Sequence, residues 1–277
     1  MPTNKSALVL LRGGGDLATG VALRLYRAGI QVVIAELDRP LAVRRSVSFA
    51  EAIFEGQHSV EGVRARRVQS EQISACLDVH EIPVLVDPEA AILESDDQPF
   101  SFVAVVDGRL TKQSPAPLPV PVPLHVGLGP GFEAGVNCDA VIETRRSHTL
   151  GRVYWSGHTQ ADSGQPEGDR RRVLRAPIDG ILSGLATIGE HVEEGQVIAS
   201  IQENEHTNRI IQSPFSGVLR GLIHDGIHVT QGLKIGDVDP RDDRSACFLV
   251  SDKALSIGGA VLEAILSRAE IREKLLC

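Results

Sequence analysis

The stretch RAPIDGILSGLATIGEHVEEGQVIASI, residues 175–201, is repeated in altered form as QSPFSGVLRGLIHDGIHVTQGLKIGDV, residues 212–238, at a fixed offset of 37 positions. Prolines and glycines keep their register between the copies: Pro177 matches Pro214, Gly180 matches Gly217, Gly189 matches Gly226, and Gly195 matches Gly232. A fixed period with turn residues in register marks one supersecondary unit used twice. Because short β-type runs alternate with glycine turns, the sequence predicts a small all-β sandwich over residues 174–240.

The duplicated module resembles biotinyl and lipoyl carrier domains, in which the modified lysine lies on the hairpin between the two halves. Here that hairpin reads QENEHTNR, and His206 occupies the position that corresponds to the lysine. No lysine occurs between Lys112 and Lys234. Covalent attachment requires an amine, so we expect neither biotin nor lipoate. His191 and His228 occupy equivalent positions in the two copies. We expect them to pack within turns rather than to share a metal ion.

Length, charge and cysteine content set broad limits on the protein. A chain of 277 residues is long enough for two domains, each with its own core. The net charge of −8 argues against nucleic acid or an anionic membrane as the main partner. Association of the chain with further copies of itself stays open. The apolar run at residues 7–11 is too short for a signal segment or a membrane span, so we expect a cytoplasmic protein. The four cysteines form no C-x-x-C pair and suggest no metal site.

The first part of the chain alternates between strand and helix patterns. An apolar run, a glycine turn, a helix that ends at Gly29 and a β-branched run that ends at Glu36 form a βαβ unit, which implies a parallel sheet. Further strands are predicted at residues 62–68, 83–86 and 102–106, with a helix over residues 71–79. The expected fold class is therefore α/β, with a Rossmann-like parallel sheet domain, the small carrier-like sandwich and a C-terminal helix.

These patterns also predict the domain boundaries. The Rossmann-like domain covers residues 1–157, and the polar residues 158–173 form a linker or flap. The duplicated β module covers residues 174–240. Residues 241–277 contain a short strand at 247–250 and a helix, which we expect to pack on the first domain.

The glycine turn after the first predicted strand is a candidate ligand site. Gly13, Gly15 and an alanine satisfy the pattern G-x-G-x-x-A, and Gly14 lies between the two glycines. Glu36 lies where a dinucleotide fold places its ribose-binding acid. Asp16, however, would cap the helix and repel a phosphate at the same position. A bound nucleotide or phosphorylated ligand and a tight structural turn capped by Asp16 both remain open.

Two further segments could complete such a site. Arg39, Arg44 and Arg45 follow the second predicted strand, and their guanidinium groups suit phosphate or carboxylate groups, although a solvated basic loop is the alternative. Gly129 and Gly131 belong to the glycine-rich loop GLGPGFEAG, which either cradles a ligand or makes a purely architectural crossing.

Several longer stretches, taken together, resemble one known family. They are RGGGDLATGVALRL, ELDRPLAVRRSVSF, GLGPGFEAG, DAVIETRRSHTLGRV and SDKALSIGGAVLEAIL, and they run in order from residue 12 to residue 266. The chain resembles the YqeB-like accessory-protein family of the selenium-dependent molybdenum hydroxylase system, which is distantly similar to xanthine dehydrogenase accessory proteins.

The resemblance implies an accessory protein for molybdenum hydroxylase maturation, with a molybdenum hydroxylase as its partner. Such a protein would bind a phosphorylated ligand, such as a molybdopterin-type cofactor or a nucleotide, at the glycine and arginine residues named above. The residues themselves leave two alternatives, a nicotinamide-dependent oxidoreductase that uses Glu36 and a structural scaffold without a ligand. No residue stands out as a hydride-transfer acid or base, so the sequence does not decide whether the protein is an enzyme.

Overall fold

The computed structural model of the protein describes residues 5–95, 97–162 and 169–276. The chain divides into two compact units. The first comprises Met1–Pro40, Phe49–Ser163 and Val250–Cys277, and the second comprises Leu41–Ser48 and Gly164–Leu249. The chain therefore leaves the first unit twice, once for a short segment and once for the duplicated region.

The first unit is built on a large mixed sheet. Its strands, in chain order, are β1 (Ser6–Arg12), β2 (Val32–Glu36), β3 (Gln57–Val60), β4 (Val63–Arg67), β5 (Ile82–Val86), β6 (Phe100–Asp107), β7 (His125–Leu128), β8 (Glu133–Ala134), β9 (Ala140–Ile142), β10 (Val153–Tyr154) and β11 (Gly157–His158). Nine of them form one sheet in the order β10-β9-β7-β6-β1-β2-β5-β4-β3, while β8 and β11 form a separate antiparallel pair. The central pairs are parallel, but β3–β4 and β9–β10 are antiparallel.

The helices of the first unit are α1 (Asp16–Arg27), α2 (Ala52–Glu55), α3 (Ile73–Asp78), α4 (Asp252–Leu266) and α5 (Ala269–Leu276). In α1, Asp16 lies in the first turn and Arg24 and Arg27 lie in the last, as the helix dipole favours. α1 packs closely on α4 because Gly20 has no side chain: a Cβ atom there would lie 2.7 Å from Ala254. The C-terminal helix thus covers the helix of the first βαβ unit.

The second unit consists of antiparallel sheets from both copies of the repeat. Its strands are β12 (Val173–Arg175), β13 (Gly180–Gly184), β14 (His191–Val192), β15 (Val197–Asn204), β16 (Thr207–Gln212), β17 (Gly217–Leu222), β18 (His228–Val229) and β19 (Lys234–Asp239). They form two four-stranded sheets in the orders β12-β19-β17-β14 and β16-β15-β13-β18. Each sheet therefore contains a short strand from one copy paired with a longer strand from the other.

The predicted fold class is wrong in the form given above. The large sheet is mixed, because a hairpin (β3–β4) extends one edge and an antiparallel strand (β10) closes the other. The protein is a mixed α/β fold with a nine-stranded sheet and additional antiparallel sheets, not a Rossmann-like parallel domain followed by a carrier-like sandwich. The segment Leu41–Ser48 also belongs to the second unit, although it lies within the residues assigned to the Rossmann-like domain.

Three smaller expectations concern the remaining segments. Cys247 ends a 3₁₀ helix (Arg244–Cys247), and residues 248–250 form no strand. The strand predicted at residues 247–250 is therefore wrong. Of the predicted linker or flap, residues 163–168 lie outside the described residues. Within the part of the chain that the structure describes, no helix combines the length and the apolar character needed to cross a membrane.

Candidate functional site

The carboxyl edge of the large sheet contains a topological switch point between β1 and β6. These strands are adjacent and parallel, but the chain continues from β1 to β2 on one side and from β6 to β7 on the other. The loops that follow β1 and β6 therefore turn away from each other. In open α/β sheets the crevice between two such loops is the usual place for a ligand.

Two arginines share one aspartate at this point. Arg12 ends β1 and Asp107 ends β6, and the two are directly paired across the strands. Asp107 is fully buried and accepts from Arg109 through Nε at 2.9 Å and Nη2 at 2.7 Å. Arg12 is 3% exposed and donates from Nη2 to the Pro88 carbonyl at 2.8 Å. Its Nη1 lies 3.6 Å from Oδ2 of Asp107. Burial lowers the pKa of Arg12, and the nearby Arg109 acts in the same direction.

His125 completes this group, which we call the Arg12 cluster (Arg12, Asp107, Arg109 and His125). It starts β7 and is paired in register with Val105, so it shares the face of the sheet on which Arg12 and Asp107 lie. The ring of Phe132 meets it edge-to-face at a centroid distance of 5.9 Å. Burial lowers the pKa of His125, opposed by the charges of Asp107 and Asp139, so the imidazole is favoured in its neutral form.

Several buried polar atoms around the cluster have no hydrogen-bond partner among the described residues. They are Nε of Arg12, Nε2 of His125 and Oγ1 of Thr111. Thr111 follows Arg109 closely, and its side chain packs against Gly131, which adjoins Phe132. A buried polar atom without a partner costs about 1–3 kcal/mol, so three of them in one region indicate that a ligand or ordered water belongs there.

Backbone strain occurs in two loops near the cluster, the one after β5 and the one after β6. Ala90 has φ 58° and Leu110 has φ 56°, values that non-glycine residues rarely adopt. Ala90 follows Pro88, the acceptor of Arg12, and Leu110 follows Arg109. Strained residues of this kind cost about 1–3 kcal/mol each and are concentrated at functional sites.

The predicted glycine turn lies beside the cluster, but part of it is filled by protein. Gly13 approaches the loop after β6, since a Cβ atom on it would lie 3.5 Å from Gly108. The N–H of Gly14 donates to Oε2 of Glu36 at 2.6 Å, and a Cβ atom on Gly14 would lie 2.9 Å from the Ala50 nitrogen. Beside Gly15, by contrast, no atom lies within 4 Å of a Cβ position. Only part of the turn is therefore open to a ligand.

Glu36 is fixed by the backbone. Its Oε2 accepts from Gly14 and its Oε1 accepts from Leu37 at 2.7 Å, and the residue is only 8% exposed. Burial raises the pKa of Glu36, while these two backbone hydrogen bonds oppose the rise. The carboxylate that we expected to bind a ribose thus stabilises the turn. In the alternative of a nicotinamide-dependent oxidoreductase, a ribose would have to compete with these two backbone donors for Glu36.

The three predicted arginines are divided between the two units. Arg39 is an exposed residue of the first unit, whereas Arg44 and Arg45 belong to the second. Arg44 donates to the carbonyls of Ala246 and Leu249, and Arg45 donates to the carbonyl of Leu222. These contacts attach the segment Leu41–Ser48 to the rest of the second unit.

The second glycine loop is explained by close packing. A Cβ atom on Gly127 would overlap the ring of Phe132, one on Gly129 would lie 2.9 Å from Oγ1 of Thr144, and one on Gly131 would overlap Thr111. Gly129 also has a positive φ of 84°. Ligand binding by the predicted positions (Gly13, Gly14, Gly15, Asp16, Glu36, Arg39, Arg44, Arg45, Gly129 and Gly131) stays a prediction.

Among residues 5–95, 97–162 and 169–276, no group of three or more histidine, cysteine or acidic side chains is arranged to hold a metal ion. Cys76, Cys138 and Cys247 are buried free thiols, and burial raises the pKa of Cys138 to about 11. Such a thiol is neutral and a poor nucleophile at physiological pH.

His125 should make the stability of the first unit depend on pH. Its pKa is depressed in the folded state, so its contribution is fully present above the ordinary histidine pKa of about 6.5. As the pH falls below that value, His125 binds a proton in the unfolded chain but not in the folded protein, so the free energy of unfolding decreases. The decrease ends once the pH is below the pKa of His125 in the folded protein. We expect urea unfolding to show a smaller loss between pH 7.5 and 5.5 in His125→Gln than in wild type. The exposed-site variant His148→Gln is the control; equal losses in wild type and His125→Gln would contradict the assignment.

Comparison with known proteins gives one clear relative. No protein-family model matches the chain. An uncharacterised protein of Escherichia coli K12, YqeB, is 45% identical over 264 residues, covering 94% of this chain and 47% of its own. The chain thus spans about half the length of that relative.

Solved structures give only distant matches. An aspartoacylase family protein from Mesorhizobium loti is 13% identical, with 84% of each chain covered and a TM-score of 0.28. The ectoine utilization protein EutE from Ruegeria pomeroyi is 10% identical, with 84% of this chain and 86% of that one covered and a TM-score of 0.27. Superpositions this loose transfer neither a fold nor an activity to the chain.

The sequence comparison corrects the resemblance drawn above. The 45%-identical relative, YqeB, is described only as uncharacterised, so it gives this chain no role in molybdenum hydroxylase maturation. The assignment to the selenium-dependent molybdenum hydroxylase accessory family is therefore wrong. So is the function that rested on it, an accessory protein that binds a molybdopterin-type cofactor or a nucleotide.

Proposed function

We propose that the first unit binds a small organic acid at the Arg12 cluster. One observation carries the proposal: the guanidinium of Arg12 is almost fully buried, yet among the described residues it makes a single hydrogen bond, to Pro88, and shares its counter-charge with Arg109. A buried cation normally has a dedicated partner, since an uncompensated one is strongly destabilising. The carboxylate of a ligand would supply the missing acceptor.

The local charge balance favours an anion. Two guanidinium groups face one buried carboxylate, and both oxygens of that carboxylate already accept from Arg109. Glu89 and Asp139 are exposed, so water screens their effect on the buried groups. Asp87 is partly buried and keeps the charge that acts on Arg12, although its oxygens accept from the N–H groups of Ala91 and Ile92. Asp107 is therefore the one fully buried carboxylate of the cluster, and it is divided between two guanidinium groups.

The surroundings favour a carboxylate over a pyrophosphate. A pyrophosphate would need the backbone of the glycine turn, where Gly14 already donates to Glu36. A carboxylate needs only a planar pair of donors, and arginine presents such a pair in fixed geometry. His125, neutral and with its Nε2 unpaired, can bind a second oxygen of the acid without adding charge.

A cytoplasmic location is part of the proposal, and the three buried free cysteines fit a reducing compartment. The expected partners, a molybdenum hydroxylase or a second copy of the chain, with neither nucleic acid nor membrane, stay predictions.

The test is a thermal-shift titration with acetate, succinate, glutarate and benzoate. A ligand at 100 times its Kd stabilises the folded state by about 2.7 kcal/mol, so at least one of these acids should raise the melting temperature by several degrees. In Arg109→Gln we expect affinity for that acid to fall about tenfold or more, because Asp107 then pairs with Arg12 alone and Arg12 no longer lacks an acceptor. Arg109→Lys, which keeps the charge and loses the planar fork, should fall in between.

The matched control is Arg64→Gln, which removes an arginine that is 55% exposed and pairs with Glu81 on another part of the sheet. It should bind the acid as wild type does. The proposal fails if no carboxylate shifts the melting temperature, if inorganic phosphate alone does so, or if Arg109→Gln binds with undiminished affinity.

A further inference from the structure

A second feature of the carboxyl edge lies outside the Arg12 cluster. A cavity of about 310 Å³ opens at the ends of β4 and β5. Its walls come from the chain that follows β4, from the end of β5 and from the 3₁₀ helix Ala91–Glu94 with the residues after it. Nothing in the Arg12 cluster lines this cavity.

The cavity has an apolar floor and a polar rim. Val68, Leu85 and Ile92 are buried and form the floor. The rim contains side-chain amides and hydroxyls, contributed by Gln69, Ser70, Ser95 and Gln98. An apolar floor with amides and hydroxyls at its rim suits the face and the edge of a planar ring.

The two charged side chains of the lining are already engaged. Asp87 accepts from Ala91 at 2.8 Å and from Ile92 at 2.9 Å, which uses both of its oxygens. Arg67 donates to the carbonyl of Ile53 at 2.9 Å, and its side chain is exposed to water. Charge therefore contributes little to recognition here, in contrast to the Arg12 cluster.

The glutamines, by comparison, keep hydrogen-bonding capacity. The N–H of Gln72 donates to the main-chain carbonyl of Gln69, and the N–H of Gln69 donates to Oε1 of Gln72 at 2.9 Å. The side-chain amide of Gln69 is therefore left to hydrogen-bond a ligand. Gln98 donates from Nε2 to Ser95 over a long 3.4 Å, and its oxygen is left to accept. One donor and one acceptor of this kind match the amide-type edge of a heterocycle.

The volume limits the size of the ligand. Pockets for small molecules measure about 300–1,000 Å³, so this cavity lies at the lower end of the range. It can hold a molecule of one or two rings but neither a dinucleotide nor a peptide.

We infer that this cavity is a second binding site, for a small uncharged heterocycle that carries an amide-type donor and acceptor on one edge. The site is separate from the organic-acid site in its residues and in its chemistry. Each site can therefore fail without the other.

The probe is free uracil, followed by saturation-transfer NMR at millimolar concentration. We expect transfer to uracil in wild type, loss of the signal in Ala91→Trp, which fills the cavity from its exposed rim, and about tenfold weaker binding in Gln69→Leu/Gln98→Leu, which loses two hydrogen bonds. Gln202→Leu, a change at an exposed strand residue of the second unit, is the control and should bind as wild type does.

Three results would overturn the inference: no transfer to uracil in wild type, equal transfer in Ala91→Trp, or tighter binding of the anion orotate than of uracil. The last would mean that Arg67 and not the amides dominates recognition. Succinate binding measured in parallel in Arg109→Gln reports on the Arg12 cluster alone, so the two sites are assessed independently.

Discussion

Asp107→Asn is expected to lower the free energy of unfolding of the first unit by about 3–5 kcal/mol, the loss that follows when one partner of a buried ion pair is removed. Asp107 is fully buried and is the shared counter-charge of Arg12 and Arg109. An asparagine has nearly the same shape, but it carries no charge and presents an N–H group to two donors. The buried guanidinium of Arg12 would then have no anionic partner.

Urea unfolding measures the loss, and hydrogen exchange of β1 and β6 assigns it to this part of the sheet. Asp78→Asn, at an exposed helix position, should stay within about 0.5 kcal/mol of wild type. In Arg12→Met/Asp107→Leu the buried cation is removed with its counter-charge and only the partly exposed Arg109 loses its partner, so we expect a smaller loss than in Asp107→Asn. If Asp107→Asn were as stable as wild type, Asp107 would not be the group that compensates the charges of the two arginines.

Asp237→Asn should destabilise the second unit by a similar amount, about 3–5 kcal/mol. Asp237 is 1% exposed and accepts from Arg172, Arg220 and Lys234 at 3.1–3.3 Å. Its neighbour Asp239 also binds Arg220, but it is held by Arg241 as well. One neutral substitution would therefore remove the buried carboxylate that these three cations share.

The measurement is again urea unfolding, with hydrogen exchange read at β17 and β19, the strands that carry the network. Asp242→Asn is the matched control, because Asp242 is 77% exposed and its partner is the surface residue His191. Surface pairs contribute about 0–1 kcal/mol, so this variant should be nearly neutral. If the two variants lost the same stability, burial of Asp237 would not be the reason for its effect.

Local patterns predicted the individual elements better than their assembly. The two copies of the repeat lie 37 positions apart, and the strands β13, β14 and β15 of the first copy recur at that distance as β17, β18 and β19. The βαβ unit predicted from the first residues is present, with β1 and β2 parallel. The edge strand β10 was missed because it has only two residues, too few for a periodic signal. The placement of Leu41–Ser48 in the second unit depends on carbonyls about 200 residues away in the chain.

The candidate site was harder to predict than the fold elements. Glycines and exposed arginines drew attention to the turn after β1, yet Gly14 and Glu36 bind each other and Arg44 and Arg45 bind carbonyls of the second unit. Arg12 and Asp107 were overlooked because they stand at the ends of apolar runs, where a charge is easily taken for the start of a loop. A charged residue that directly ends a buried strand was the available signal, since burying a charge without a partner is costly.

The close packing of α1 on α4 sets the order in which the chain can complete its units during synthesis. Arg24 in α1 donates to the carbonyl of Leu255 in α4, 231 residues later. At about 5–20 residues per second the ribosome takes roughly 10–50 seconds to make the intervening chain. All of the second unit is translated in that interval, so it can fold first. Meanwhile α1 waits with the face around Gly20 uncovered, which makes the nascent first unit a substrate for chaperones until its last helices emerge.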